Sequence, residues 1–215
     1  MTKQTFYTKL LREIHDALTA VSYTERISDV PAPATVTLEQ GLEKLCAVTR
    51  TAADAHARMY ILGNGASNAL ASAMSLEFVQ NAGIDAVSFT SSAYLTAMSN
   101  DEGGGRLFTC ALEHSLRPAD MLVAISSSGK SKNILNALQL ASSRGCRTVT
   151  FTAMQRDNPA SIAGDMNFYV PINTYSGAEI AHYTLMQIWY ERYMARYLPE
   201  KLPEKYANRQ AGGPK

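Results

Sequence analysis

The chain has 215 residues, of which 46% are hydrophobic and 18% charged, so it is long enough for one domain with an appendage and unlike a disordered chain. A formal net charge of +1 gives no broad basic surface for nucleic acid, and no apolar run approaches the roughly 20 residues that span a bilayer. Cys46, Cys110 and Cys146 are odd in number, far apart and in no paired motif, which argues against a disulfide framework or a zinc ribbon and leaves them as core residues.

Met1–Leu11 mixes Lys3 and Lys9 with polar residues and has no long apolar block, so no secretory signal is expected and the cytoplasm is the expected compartment. Phe6, Leu10, Leu11, Ile14, Leu18 and Val21 recur at three- and four-residue steps, which predicts a first helix with one apolar stripe. Ser22–Thr37 carries Pro31 and Pro33 and few large apolar residues, and reads as a linker. Leu38, Leu42, Leu45, Cys46 and Val48 then resume a helical pattern to about His56.

Beyond it, short apolar runs alternate with helix-length segments: Met59–Leu62, Ala86–Phe89, Met121–Ile125, Thr148–Thr152 and Met166–Val170. Runs of this length, bounded by Gly, Asp, Ser or Pro, are expected of buried parallel strands with crossover helices. The predicted fold is therefore α/β and doubly wound, with a five-stranded parallel sheet flanked by helices and an N-terminal helical arm. A last helix is expected from Gly177 to Tyr197, ended by Pro199 and Pro203, and Glu204–Lys215 reads as a polar tail. The division is residues 1–37 for helix and linker, 38–198 for the domain, and 199–215 for the tail.

In such sheets ligands bind beyond the carboxyl ends of the strands. The first run ends in Gly63-Asn64-Gly65-Ala66-Ser67 and the third in Ser126-Ser127-Ser128-Gly129-Lys130-Ser131. Glycine lets backbone N–H groups approach an anion, hydroxyls add donors, and the following helix offers its positive end, so both loops suit a phosphate. A capped helix start is the plainer reading of the serine run, but one serine would serve for that. A nucleotide-binding P-loop is excluded, because the glycine required five residues before Gly129 is Ala124. Asn100–Gly105 adds Asp101 and Glu102 on a turn that reads alone as a surface feature.

The order of Gly63–Ser67, Ser99-Asn100-Asp101 and the serine loop resembles the SIS (sugar isomerase) domain, and within it the phosphoheptose isomerase group, over roughly Leu38–Tyr197. That resemblance implies a flavodoxin-like three-layer fold and a homotetramer with sites formed between subunits, the N-terminal helix lying in the core of the assembly. It implies sugar phosphate contacts from Asn64, Gly65, Ser67, Ser126, Ser127, Ser128, Ser131 and Gln187, with Asp101 at the rim.

Aldose–ketose isomerisation needs a base to move a proton between C1 and C2 and a second group for the hydroxyl proton. The resemblance implies Glu77 for the first and His182 or Glu179 for the second, although His182 also reads as a packed, hydrogen-bonded core residue. Three family positions differ: Ala73 replaces a histidine, Asn81 an arginine, and Gln187 the histidine of the last helix. Glutamine cannot titrate, and Ala73 and Gln187 replace zinc ligands, so no metal or other cofactor is expected. The reading is a protein that binds a sugar phosphate as a phosphoheptose isomerase-like enzyme. The alternative is a non-catalytic sensor, or an oligomeric assembly factor of the DiaA-like kind with a partner protein.

Overall fold

The sheet of this computed structural model, which describes residues 5–26 and 37–202, is built from runs whose alternate side chains face two helical layers. Its strands are β1 (Ser22–Glu25), β2 (Met59–Gly63), β3 (Ala86–Val87), β4 (Met121–Ser126), β5 (Arg147–Ala153) and β6 (Met166–Val170). The helices are α1 (Phe6–Thr19), α2 (Leu38–Asp54), α3 (Ala66–Glu77), α4 (Ser92–Asp101), α5 (Thr109–Ser115), α6 (Lys132–Ser143), α7 (Pro159–Ala163) and α8 (Tyr175–Tyr197). Met59, Ile61, Val123, Ile125, Val149 and Phe151 meet the layer of α1, α2, α3 and α8, while Tyr60, Leu62, Leu122 and Ala124 meet α5, α6 and α7.

The strand order is β1-β6-β5-β4-β2-β3, and every neighbouring pair is parallel except β1 with β6. The five expected strands and the doubly wound layout are all present, although β3 stops at Val87 instead of Phe89. The sixth strand is a correction: Ser22–Glu25, expected to begin a linker, pairs with β6 along its whole length. Its sequence has one large apolar residue, Tyr23, and the strand exists because that ring is buried on Gly41 of α2. A Cβ at Gly41 would stand 2.4 Å from the Tyr23 ring. Such a fit is tertiary and leaves no local pattern. The rest of the expected linker, with Pro31 and Pro33, and the tail Glu204–Lys215 lie outside the described residues.

The chain leaves β2 toward β3 on one side, and β4 lies on the other. Connections thus diverge at the carboxyl ends of β2 and β4, and the crevice between them is the topological switch point where sheets of this kind take ligands. The two loops singled out by composition open on that crevice.

Candidate functional site

Most helices of the molecule are capped by a side chain at the N-terminus. Thr5, Thr37, Ser91, Asn158 and Thr174 each accept a bond from the first turn of α1, α2, α4, α7 and α8. The helices at the switch point are different. α3 starts from Gly65 and α6 from Ser131, and neither start has a side-chain cap. Ser131 stands at the capping position without capping, so the plainer reading of the serine run does not describe what its hydroxyl does. Ser67, Ser126 and Ser127 are each 6% exposed, and among the described residues their hydroxyls and that of Ser131 have no hydrogen-bond partner. Only Ser128 is engaged within the loop, its Oγ accepting from the Lys130 amide at 3.3 Å. Two uncapped helix ends and four uncommitted hydroxyls form a cradle of donors that suits an anion.

The loop is held from below. The Ser127 carbonyl accepts from the Ala153 amide at 3.0 Å, and the Gly129 carbonyl from the Ala160 amide at 3.0 Å. Gly129 has φ +65°, and a Cβ there would lie 1.8 Å from the Asn158 side chain, so only glycine fits. Asn158 is fully buried, caps α7 by accepting from Ser161 at 2.9 Å, and donates to the Gln155 carbonyl at 2.7 Å. Sequence reading missed Asn158 as a support for the serine loop, although Asn158-Pro159 is a visible helix-start signal.

Asn64 and Gly65 belong to the same crevice and also line a cleft of about 320 Å³ with Asn68, Thr96, Ser99 and Phe108. Asn64 pairs reciprocally with Asn133, at 3.0 Å and 2.8 Å. Asn133 too was missed, and its only sequence signal is its place two residues after Ser131. Asp101 ends α4 two residues beyond the cleft-lining Ser99; it is exposed and accepts from its neighbour Asn100 at 2.8 Å. Glu102, the other carboxylate of that turn, is tied to Arg106 at 2.9 Å.

The expected acid/base residues form no single cluster with the cradle. Gln187 donates from Nε2 to Glu77 Oε1 at 2.8 Å, joining α8 to the last residue of α3. A π-helical turn, Phe78–Ala82, follows Glu77 and sends Phe78 into the core against Trp189, with ring centroids 4.6 Å apart. This packing sets the end of α3 against α8. Ten residues of helix separate Ser67 from Glu77, a rise of about 15 Å, so the pair lies well below the cradle. Glu179 is half-buried, two helical turns before Gln187.

His182 is fully buried and packs edge-on near Phe151, with centroids 6.4 Å apart. It lies about 140° around the helix from Gln187, toward the sheet. Neither ring nitrogen has a well-formed hydrogen-bond partner among the described residues, the Thr152 backbone being the polar group that acts on the ring. Burial pushes its pKa down to about 4, which the nearby Thr152 backbone offsets only in part. Among the described residues no group of three His, Cys, Asp or Glu side chains is arranged to hold a metal ion, and Ala73 offers no ligating atom. Burial also pushes up the free thiols of Cys46, to about 12, and Cys146, to about 11, in keeping with core roles.

A family model described as SIS domain matches residues 22–153. A phosphoheptose isomerase of Geotalea daltonii is 33% identical over 154 residues, covering 67% of this chain and 80% of that protein. Two solved structures share the fold: a phosphoheptose isomerase from Francisella tularensis has a TM-score of 0.73 at 16% identity, covering 89% of this chain and 95% of its own. A phosphoheptose isomerase from Neisseria gonorrhoeae has a TM-score of 0.72 at 20% identity, covering 88% and 95%.

Proposed function

The chain belongs to the SIS domain family, and from that premise we propose that it binds a sugar phosphate in the cradle of Gly63–Ser67 and Ser126–Ser131 and interconverts aldose and ketose forms. The observation that carries the binding is the pair of uncapped helix ends facing one crevice, ringed by uncommitted serine hydroxyls. The kinship with phosphoheptose isomerases makes a heptose 7-phosphate the first candidate. No helix among the described residues is long and apolar enough to cross a membrane, and the free thiols suit a reducing compartment, which we take to be the cytoplasm.

In this reading Glu77 takes the proton from the carbon next to the carbonyl and returns it to the neighbouring carbon, while the hydroxyl proton passes between O1 and O2 through a second group. Glu179 lies about 12 Å along α8 from Gln187, so a Glu179 serving here would come from a different copy. The step is redox-neutral and needs no co-reactant. Gln187 orients Glu77 and can donate to a substrate oxygen, but it cannot carry a proton. His182, neutral and buried, is left with a structural part. The donors at Glu77, Gln187 and Glu179, with alanine at position 73, do not suit tetrahedral zinc, and no step is routed through a metal.

About 15 Å of helix lies between Ser67 and Glu77, so a seven-carbon sugar phosphate, roughly 10 Å long when extended, would span them within one protomer only fully stretched with Glu77 reaching toward it. We therefore propose an oligomer, a homotetramer by family resemblance, in which Glu77 of one copy serves the cradle of another. In support, Leu76 and Val79 beside Glu77, and Ile188 beside Gln187, are apolar and exposed.

The test is incubation of purified protein with sedoheptulose 7-phosphate. Turnover is expected, and Glu77→Gln should lower it by about a hundredfold or more while phosphate binding persists. The non-titrating Gln187 favours a second reading, a sugar phosphate sensor or an assembly factor that acts on a partner protein. That reading predicts a ligand-dependent rise in melting temperature with no turnover.

A further inference from the structure

We propose that Asn133 is a positioning residue that orients Asn64 and thereby fixes the spacing of the two anion-binding loops; this rests on the sugar phosphate reading of the cradle. The parallel ladder between β2 and β4 ends at Gly63 and Ile125. Past that point the two chains turn into different helices. Among the described residues no backbone hydrogen bond joins Gly63–Ser67 to Ser126–Ser131, and the Asn64–Asn133 amide pair is the one side-chain tie between these loops and their helices.

The orientation of that pair is determined. Asn133 Oδ1 accepts the Ile134 amide at 3.0 Å, so its Nδ2 has to be the atom that faces Asn64 Oδ1. Asn64 Nδ2 then donates back to Asn133 Oδ1. Asn133 is 8% exposed, whereas Asn64 is exposed at the crevice with its second N–H uncommitted. The buried amide thus decides which edge of the exposed amide faces a ligand. Two apolar residues would bridge the gap as well, but they would not fix a donor direction.

The experiment titrates inorganic phosphate into the full-length protein by calorimetry, with Asn64→Ala, Asn133→Ala and the double variant. Each single change should weaken binding about tenfold, and the double variant should bind no more weakly than the worse single one, because the two act as one unit. Losses that multiply in the double variant overturn the proposal.

Because Asn133→Ala can also loosen α6, a second measurement uses the unaltered core. In nitrogen-15 spectra of the wild type, the Asn133 side-chain amide should shift on adding phosphate, and in Asn64→Ala, changed only at an exposed residue, that shift should vanish. An Asn133 signal indifferent to phosphate in the wild type, or equally responsive in Asn64→Ala, overturns the proposal. The underlying reading fails separately: a wild type that binds no phosphate, or a Ser126→Val variant that binds it undiminished, removes the cradle itself. In that event slow exchange of the Asn133 amide protons in the ligand-free protein still supports the tie, and fast exchange overturns it.

Discussion

His182 carries its whole cost in its burial. Folded, it stays neutral down to about pH 4; unfolded, it takes a proton near 6.5. Between those values the unfolded chain binds a proton that the native state refuses. Its effect is therefore absent at pH 7, grows as pH falls through 6.5, and levels off below about 4, for a total loss of about 3 kcal/mol. Urea unfolding at pH 7 and pH 4.5 should show that His182→Leu loses about 2 kcal/mol less than the wild type over that interval. Parallel losses would exclude His182 as the source. At this scale the sequence was legible where composition is chemistry: the serine run and the glycines around Asn64 stand where the cradle is. It was not legible for amides that act through distant partners. Asn133 and Asn158 earn their places by contacts with residues 69 and 29 positions away, Asn64 and Gly129, and no local pattern announces such a contact.

The serine loop is as much a packed element as a chemical one. At Gly129 a side chain meets both a left-handed backbone and the Asn158 amide, so Gly129→Ala should displace the cap of α7 and cost about 3 kcal/mol. Gly83 has a similar φ of +72° in the left-handed helical region but nothing within 4 Å of its Cβ position, so Gly83→Ala should cost only about 1 kcal/mol. Denaturant midpoints of the two variants make the comparison, and equal losses would remove Asn158 from the account. Helices and parallel strands were readable here because their periodicity is local and repeated. β1 was not, since its four residues become a strand only against β6, and α4 was missed because it buries none of its residues and so shows no apolar stripe.

Across the whole molecule, apolar side chains remain exposed on the layer of α1, α3 and α8: Phe6, Tyr7, Leu11, Leu76, Ile180 and Ile188. A second copy would cover them, and a charge placed among them should prevent that. Leu76→Glu should sediment as a smaller species than the wild type and lose turnover while still binding phosphate; an unchanged sedimentation coefficient would argue against an interface at this face. The doubly wound plan was legible from alternating runs and helices, but the order of strands was not, because nothing in one run says which other run lies beside it. That order also bears on folding. Tyr23 lies opposite Phe168, and α1 rests on α8, so β1 and α1 find their strand and helix partners only in segments far later in the chain, although Tyr23 also meets Gly41 of α2. Docking of α1 and β1 on these later segments is therefore a long-range step, which costs more loop closure than the strand–helix–strand units of the sheet.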